Sequence, residues 1–168
     1  RVTRRLARDE PPYLTEPLGL TVADNGDIFV SDRSAGGVLH LNPAGELVAI
    51  LTAQERLQEA TDLVMDATQA GLWARNPRCQ DLVHLSSGNE ILESLPIADA
   101  VPWEKVDVFR GADGPPLLAV VAGDAVEVRS MNGQLLARWN GFLRPSAPIV
   151  REDSLLVVDP ELGRLVEL

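Results

Sequence analysis

The side chains of this chain that could do chemistry come in repeated pairs. Asp32 and Asp159 each end an apolar alternation, "IFVSD" and "LLVVD", and His40 and His84 stand in the matching stretches "VLHL" and "LVHL". Recurring carboxylates could ligate a cation, and recurring imidazoles could ligate a metal. No nucleophile elbow, phosphate-binding loop, HExxH motif or cysteine pair accompanies them. The recurrence therefore points first to a repeated architecture.

Each of these features also has a structural interpretation. An Asp at a strand end accepts hydrogen bonds from the backbone N–H groups of the next turn, and a strand histidine is half-buried and satisfied by its neighbours. The acidic turn "DNGD" at 24–27 lacks the bidentate Glu of calcium loops, so it is interpreted as a hairpin turn. We favour the structural interpretation for all of them.

Composition excludes several function classes. The 168 residues are 45% apolar and 24% charged, which is typical of a folded globular chain. A formal net charge of −10 repels phosphate backbones, so a nucleic-acid partner is not expected. Cys79 is the single cysteine, which rules out an internal disulfide. No apolar run approaches the roughly 18 residues of a membrane span, and no signal segment is visible, so we expect a soluble protein of unknown compartment.

A tandem period organises the chain. The stretch "VLHLNPAGELVAI" at 38–50 is echoed by "LVHLSSGNEILES" at 82–94 and by "VEVRSMNGQLLAR" at 126–138. The turn glycines Gly45, Gly88 and Gly133 are 43 and 45 residues apart. Alternating apolar residues around such turns predict antiparallel strands, and four-stranded units at this period are typical of β-propeller blades.

The predicted fold is thus all-β, a single β-propeller domain of about four four-stranded antiparallel blades. The blades cover about 17–51, 62–95, 105–139 and 146–168, and residues 1–8 are predicted to add the outer strand of the last blade. The chain is then a complete ring or a part of a larger one. Between the first two blades, Thr52 and Glu55 form a capping box, which predicts a short helical turn.

The first blade resembles the NHL repeat, and the fourth resembles it in part through Pro148, Leu155, Val157, Asp159 and Gly163. The matching positions of the first blade are Pro17, Gly19, Val22, Gly26, Ile28, Val30, Asp32, Val38 and Gly45. The resemblance implies a propeller that serves as an interaction platform. Related six-bladed proteins include lactonase-like hydrolases that hold a divalent metal in the central channel, which implies the alternative of a metal-dependent hydrolase.

Candidate site residues follow from the meander topology. The segment before each blade and the loop after each second strand lie on the same face, where a rigid scaffold presents functional loops. The residues predicted for a partner-binding rim on this face are Asp32, Arg33, Arg75, Asn76, Arg78, Trp103, Arg144 and Asp159. Glu16 and Asp62 stand at the channel entries and are the two candidates for metal ligands.

The sequence favours a non-catalytic module that binds a protein partner, because a regular scaffold carries no assembled catalytic constellation. No cofactor is expected apart from a divalent cation in the hydrolase alternative. A third hypothesis is binding of a small ligand in the central channel. A homo-oligomer or a larger complex stays open.

Overall fold

The computed structural model describes residues 14–66, 71–97, 103–110, 115–146, 148–151 and 154–168. These residues form fifteen strands and no helix, arranged as antiparallel sheets in which consecutive strands are neighbours. Three sheets have four strands each and the last has three described strands. The fold is a four-bladed β-propeller, as the sequence predicted. The described residues contain no helix with the length and apolarity needed to cross a membrane.

Each sheet is one blade, and its strands are numbered in chain order. Blade one contains β1 Pro17–Val22, β2 Ile28–Asp32, β3 Gly37–Leu41 and β4 Leu47–Leu51. Blade two contains β5 Asp62–Met65, β6 Gly71–Asn76, β7 Asp81–Ser86 and β8 Ile91–Pro96. Blade three contains β9 Trp103–Arg110, β10 Pro116–Ala122, β11 Ala125–Ser130 and β12 Leu135–Trp139. Blade four contains β13 Ile149–Arg151, β14 Ser154–Asp159 and β15 Arg164–Glu167.

The hairpins form where the sequence places turn residues with left-handed backbone. Gly26, between β1 and β2, has a φ of 87°, and Gly45 and Gly133 have φ values of 77° and 85°. Gly45 and Gly133 lie in the turn between the third and fourth strands of blades one and three. The residue at that position in blade two is Asn89, with a φ of 69°. Glycine and asparagine tolerate this conformation better than other residues, which explains why the same turn recurs in three blades.

The chain divides into two compact units, Arg1–Ser94 and Leu95–Leu168. In the first unit, apolar residues of blades one and two form a common core that includes Phe29, Val38, Leu72 and Val83. Position 19 requires a glycine, because a Cβ atom there would overlap the backbone carbonyl oxygen of Thr61, the residue that precedes β5.

The second unit has its own core, which joins blades three and four. Val121 and Val126 of blade three pack with Phe142 and with Val157 of blade four, and all four side chains are buried. Burial of branched aliphatic side chains contributes roughly 1.5–3 kcal/mol each, so this cluster is a main source of stability in the unit.

Two sequence expectations need comment. The strand predicted at 1–8 lies outside the described residues. The helical turn predicted after Thr52 is wrong, because Ala53, Gln54 and Glu55 all have left-handed backbone with φ values of 43°, 57° and 69°. The backbone N–H groups of Thr52 and Ala53 both donate to Asn89 Oδ1 at 3.0 Å, so a bond to blade two replaces the local capping pattern.

Candidate functional site

A carboxylate at the end of β2 holds the loops around it in place. Asp32 accepts hydrogen bonds from the backbone N–H groups of Thr15 and Glu16 at 2.8 and 3.0 Å, and from that of Ala35 at 3.1 Å. Its side chain is buried, with 1% of the residue exposed. Asp32 therefore ties the segment before β1 to the loop after β2.

Asp159 makes the same arrangement at the end of β14. Its carboxylate accepts from the backbone N–H groups of Leu143, Arg144 and Leu162 at 2.9, 3.3 and 3.4 Å. Burial opposes ionisation of this group, but the three N–H donors and the Arg164 guanidinium outweigh burial and lower the pKa of Asp159 below its ordinary value. The carboxylate is thus ionised and fully used by the fold.

Asn76, at the end of β6, is the amide counterpart of these two residues. Its Oδ1 accepts from the backbone N–H groups of Arg78 at 3.0 Å and Cys79 at 3.3 Å, and its Nδ2 donates to the backbone carbonyl of Arg56. Asp32, Asn76 and Asp159 are called the strand-end clamps below. Each one joins the segment that enters its blade to the loop that follows the second strand.

Blade three departs from this pattern. Its second strand ends at Ala122, which cannot accept such bonds, and Ala122 lies opposite Trp103, the first residue of β9. Trp103 therefore begins a strand, whereas the sequence placed it in the segment before blade three. Trp103 still lies beside the end of the second strand, which is where the other three blades have their clamps.

The clamped loops carry arginines. Arg33 and Arg78 lie in the loops after β2 and β6 and are exposed, and Arg144 lies in the segment before β13 with 77% of its side chain exposed. The guanidinium of Arg144 is 3.8 Å from the carboxylate of Glu161. Six of the eight residues predicted for the rim are thus either buried clamps or exposed arginines, and Arg75 and Trp103 are neither.

Arg75 differs from the other rim arginines because it is paired inside blade two. Its Nε lies 2.6 Å from Asp62 Oδ2, and only 11% and 13% of the two side chains are exposed. Glu16 is exposed, and its backbone carbonyl accepts from the N–H of Arg33 at 3.1 Å. No group of three or more His, Cys, Asp or Glu side chains with metal-binding geometry occurs among the described residues. The metal interpretation of Glu16 and Asp62 stays a prediction, and Arg75 would have to release Asp62 before a cation could bind there.

The two histidines occupy equivalent environments in blades one and two. His40 Nε2 lies 2.8 Å from Asp27 Oδ2, and the imidazole stacks on the Phe29 ring with centroids 4.5 Å apart. In blade two, His84 Nε2 lies 2.9 Å from Asp66 Oδ2, and the ring stacks on Trp73 at 4.3 Å. The hydrogen bond from His40 lowers the pKa of Asp27. The structural interpretation of the histidines agrees with these contacts.

The carboxylate partners of the histidines were missed in the sequence. Asp27 belongs to the hairpin turn before β2, whereas Asp66 follows β5, so the two lie at different places in the linear repeat. The sequence indicated these pairs only through the histidines, which recur at equivalent positions of blades one and two. Pairing each with an acid requires the strand register, in which Phe29 lies opposite His40 and Trp73 opposite His84.

Comparison with known proteins supports the fold and leaves the function open. No protein-family model and no curated protein matches the chain. Among solved structures, it is similar to virginiamycin B lyase from Staphylococcus aureus with quinupristin, with a TM-score of 0.64 and 15% identity over 94% of this chain and 53% of that one. BamB from Moraxella catarrhalis gives a TM-score of 0.61 and 16% identity, covering 88% of this chain and 41% of that one.

A further similar structure is BBS1N in complex with ARL6DN, with a TM-score of 0.60 and 18% identity over 84% of this chain and 45% of that one. This chain spans about half the length of each of these three solved structures. At identities this low, the similarity shows the shared fold. That fold occurs both in a lyase and in a protein solved with a protein partner.

Proposed function

We propose that this propeller is a protein-interaction module whose contact surface is formed by the clamped loops of blades one and two, within the first unit. The observation that carries the proposal is the pairing of a buried clamp with an exposed arginine in both blades of that unit: Asp32 with Arg33, and Asn76 with Arg78. The same pairing recurs in the second unit, with Asp159 and Arg144. A loop held by several hydrogen bonds loses little conformational entropy on binding, which favours affinity. Arginine is enriched in protein interfaces because its planar guanidinium forms paired hydrogen bonds.

The guanidinium groups indicate the chemistry of the partner. Exposed arginines bind carboxylates in bidentate geometry, so the expected partner surface presents Asp or Glu side chains or a terminal carboxylate. The overall charge of −10 opposes approach of an acidic partner at long range. We therefore expect selectivity for a partner with a few well-placed carboxylates rather than a uniformly acidic one.

The test uses charge-matched variants in a comparative pull-down. Arg33→Ala and Arg78→Ala each remove one positive charge from the clamped loops of the first unit. Ala44→Glu also lowers the net charge by one, but it lies in the exposed turn between β3 and β4, at the other end of the strands. We expect a partner that is retained by wild type and by Ala44→Glu, and reduced at least tenfold by Arg33→Ala and by Arg78→Ala, each of which changes the net charge by the same single unit. The same set of bound proteins for wild type and all three variants would refute the proposal.

The hydrolase alternative has no specific support among the described residues and stays a prediction from the family resemblance. It is tested by adding calcium or zinc to metal-free protein, since a ligand that binds only the folded state raises the Tm by mass action.

A further inference from the structure

Blades one and two line a partly open cavity of about 390 Å³ within the first compact unit. Small-molecule sites span roughly 300–1,000 Å³, so the cavity suits a small ligand. It lies away from the clamped loops, beside the turn that joins β1 and β2. Its walls come from both blades, and the proposed interaction surface does not use them.

The cavity has one anionic corner, and blade one supplies it. Asp27, His40 and Asn25 line this corner. Asp27 Oδ2 accepts from His40 Nε2 at 2.8 Å and from Asn25 Nδ2 at 3.1 Å. Among the described residues, none donates to the second oxygen, Asp27 Oδ1. With a neutral imidazole the corner carries one negative charge and an acceptor that has capacity for a further donor.

The remaining wall combines apolar side chains with the polar Ser87 of blade two. Phe29 and Ala49 line it from blade one, and Met65 and Leu72 line it from blade two. The flexible, polarisable thioether of Met65 and the aromatic ring of Phe29 can both pack favourably against another ring. The site therefore combines a single anionic corner with a surface suited to an apolar or aromatic group.

We propose that this cavity binds a small organic cation, with its ammonium group on Asp27 and an aromatic or branched apolar body against Phe29, Ala49 and Met65. The ammonium donates to the carboxylate, and the apolar body leaves water on entering the cavity. A neutral analogue keeps the hydrophobic contribution but loses the charge-assisted hydrogen bond, and an anionic analogue is repelled.

The chain contains its own control for this assignment. Asp66 and His84 form the equivalent acid–imidazole pair in blade two, with Trp73 in place of Phe29. None of these three residues belongs to the cavity wall. A substitution of Asp66 thus removes the same kind of internal pair without removing the proposed ligand contact.

The experiment titrates isotope-labelled protein with three probes of one shape and follows backbone amide chemical shifts. The probes are 2-phenylethylamine, 2-phenylethanol and phenylacetate. We expect saturable shifts at residues 25–29, 40, 49 and 71–72 with 2-phenylethylamine, at least tenfold weaker binding of the alcohol, and no binding of phenylacetate. Shifts that are absent, that do not saturate or that map elsewhere refute the site, and equal binding of amine and alcohol refutes the role of Asp27.

Two variants separate ligand binding from folding. Asp27→Asn keeps an acceptor for His40 but removes the charge, so it should raise the Kd for 2-phenylethylamine at least tenfold. Asp66→Asn should leave that Kd within twofold of wild type. Ala49→Leu fills the cavity and should abolish binding while the amide spectrum stays that of a folded protein. Loss of binding in Asp66→Asn equal to that in Asp27→Asn would overturn the proposal, because it would mean that a general loosening of the blades is responsible.

Discussion

At the scale of single residues, the strand-end clamps show how one side chain can organise two segments. Asp32 satisfies three backbone N–H groups that lie 16–17 residues before it and three residues after it. Buried or partly buried N–H groups without acceptors cost roughly 1–3 kcal/mol each, so the carboxylate stabilises an otherwise unfavourable crossing of chain segments. The recurrence in blades two and four shows that the clamp is a repeated feature, present in three of the four blades.

The first prediction concerns this clamp. Asp32→Ala removes all three acceptor contacts and should lower the free energy of unfolding by about 2–4 kcal/mol. Asp32→Asn retains one acceptor oxygen and should lose roughly half as much. Urea denaturation measures both changes. The exposed Glu93→Ala in β8 is the control and should stay within about 0.5 kcal/mol of wild type. A loss in Asp32→Ala no larger than in this control would contradict the role of the clamp.

At the scale of strands and loops, some features are determined by the local sequence pattern and others by contacts between distant segments. The hairpins could be predicted because alternation with a period of two and glycine or asparagine turns are local signals. The recurrence of a second-strand Asp also predicted correctly that Asp32 and Asp159 would organise turns. The acid–histidine pairs could not be predicted, because Asp27 and Asp66 meet their histidines only through register.

The loop after β4 shows the opposite case, in which a local signal fails. Its capping-box pattern predicted a helical turn, but Ala53 and Leu57 are buried and Asn89 of blade two binds the loop backbone. Burial of these apolar side chains and the hydrogen bonds to Asn89 outweigh a local capping preference of about 1 kcal/mol. The loop pays for these contacts with an unfavourable backbone conformation, because three successive residues that are not glycine are left-handed.

That cost gives the second prediction. Gln54 has a φ of 57°, where a side chain costs roughly 1–2 kcal/mol, whereas glycine loses about 0.5–1 kcal/mol through the entropy of the unfolded chain. Gln54→Gly should therefore raise the free energy of unfolding by about 0.5–1 kcal/mol. Gln58→Gly, in the same loop but without left-handed backbone, should lower it by a similar amount. Denaturation curves of both variants test the sign, and a decrease in Gln54→Gly would show that the loop does not hold this conformation.

At the scale of the whole molecule, excess negative charge and individual carboxylates act in opposite directions as the pH falls. From pH 7 towards the isoelectric point near 4.6, the net charge of −10 disappears and self-repulsion decreases, which favours the folded state. The pKa values of Asp27 and Asp159 lie below the ordinary value of 3.8, whereas burial raises the pKa of Asp107. Groups with lowered pKa values stabilise the fold only while they are ionised.

The last prediction follows from that sign. Near pH 4 the unfolded chain binds protons at Asp27 and Asp159 more readily than the folded chain does, so their contribution is complete above about pH 4 and is lost as the pH falls through the lower, folded pKa values. Asp107 behaves in the opposite way, because its raised pKa makes ionisation in the folded state unfavourable as the pH rises.

Wild-type stability, measured by urea denaturation between pH 7 and pH 3, should therefore decrease steeply below about pH 4. Asp27→Asn should be less stable at pH 7 and show a shallower decrease, whereas Asp124→Asn, at an exposed turn, should follow the wild-type curve. If Asp27→Asn keeps the wild-type slope below pH 4, the hydrogen bond between Asp27 and His40 does not stabilise the ionised carboxylate.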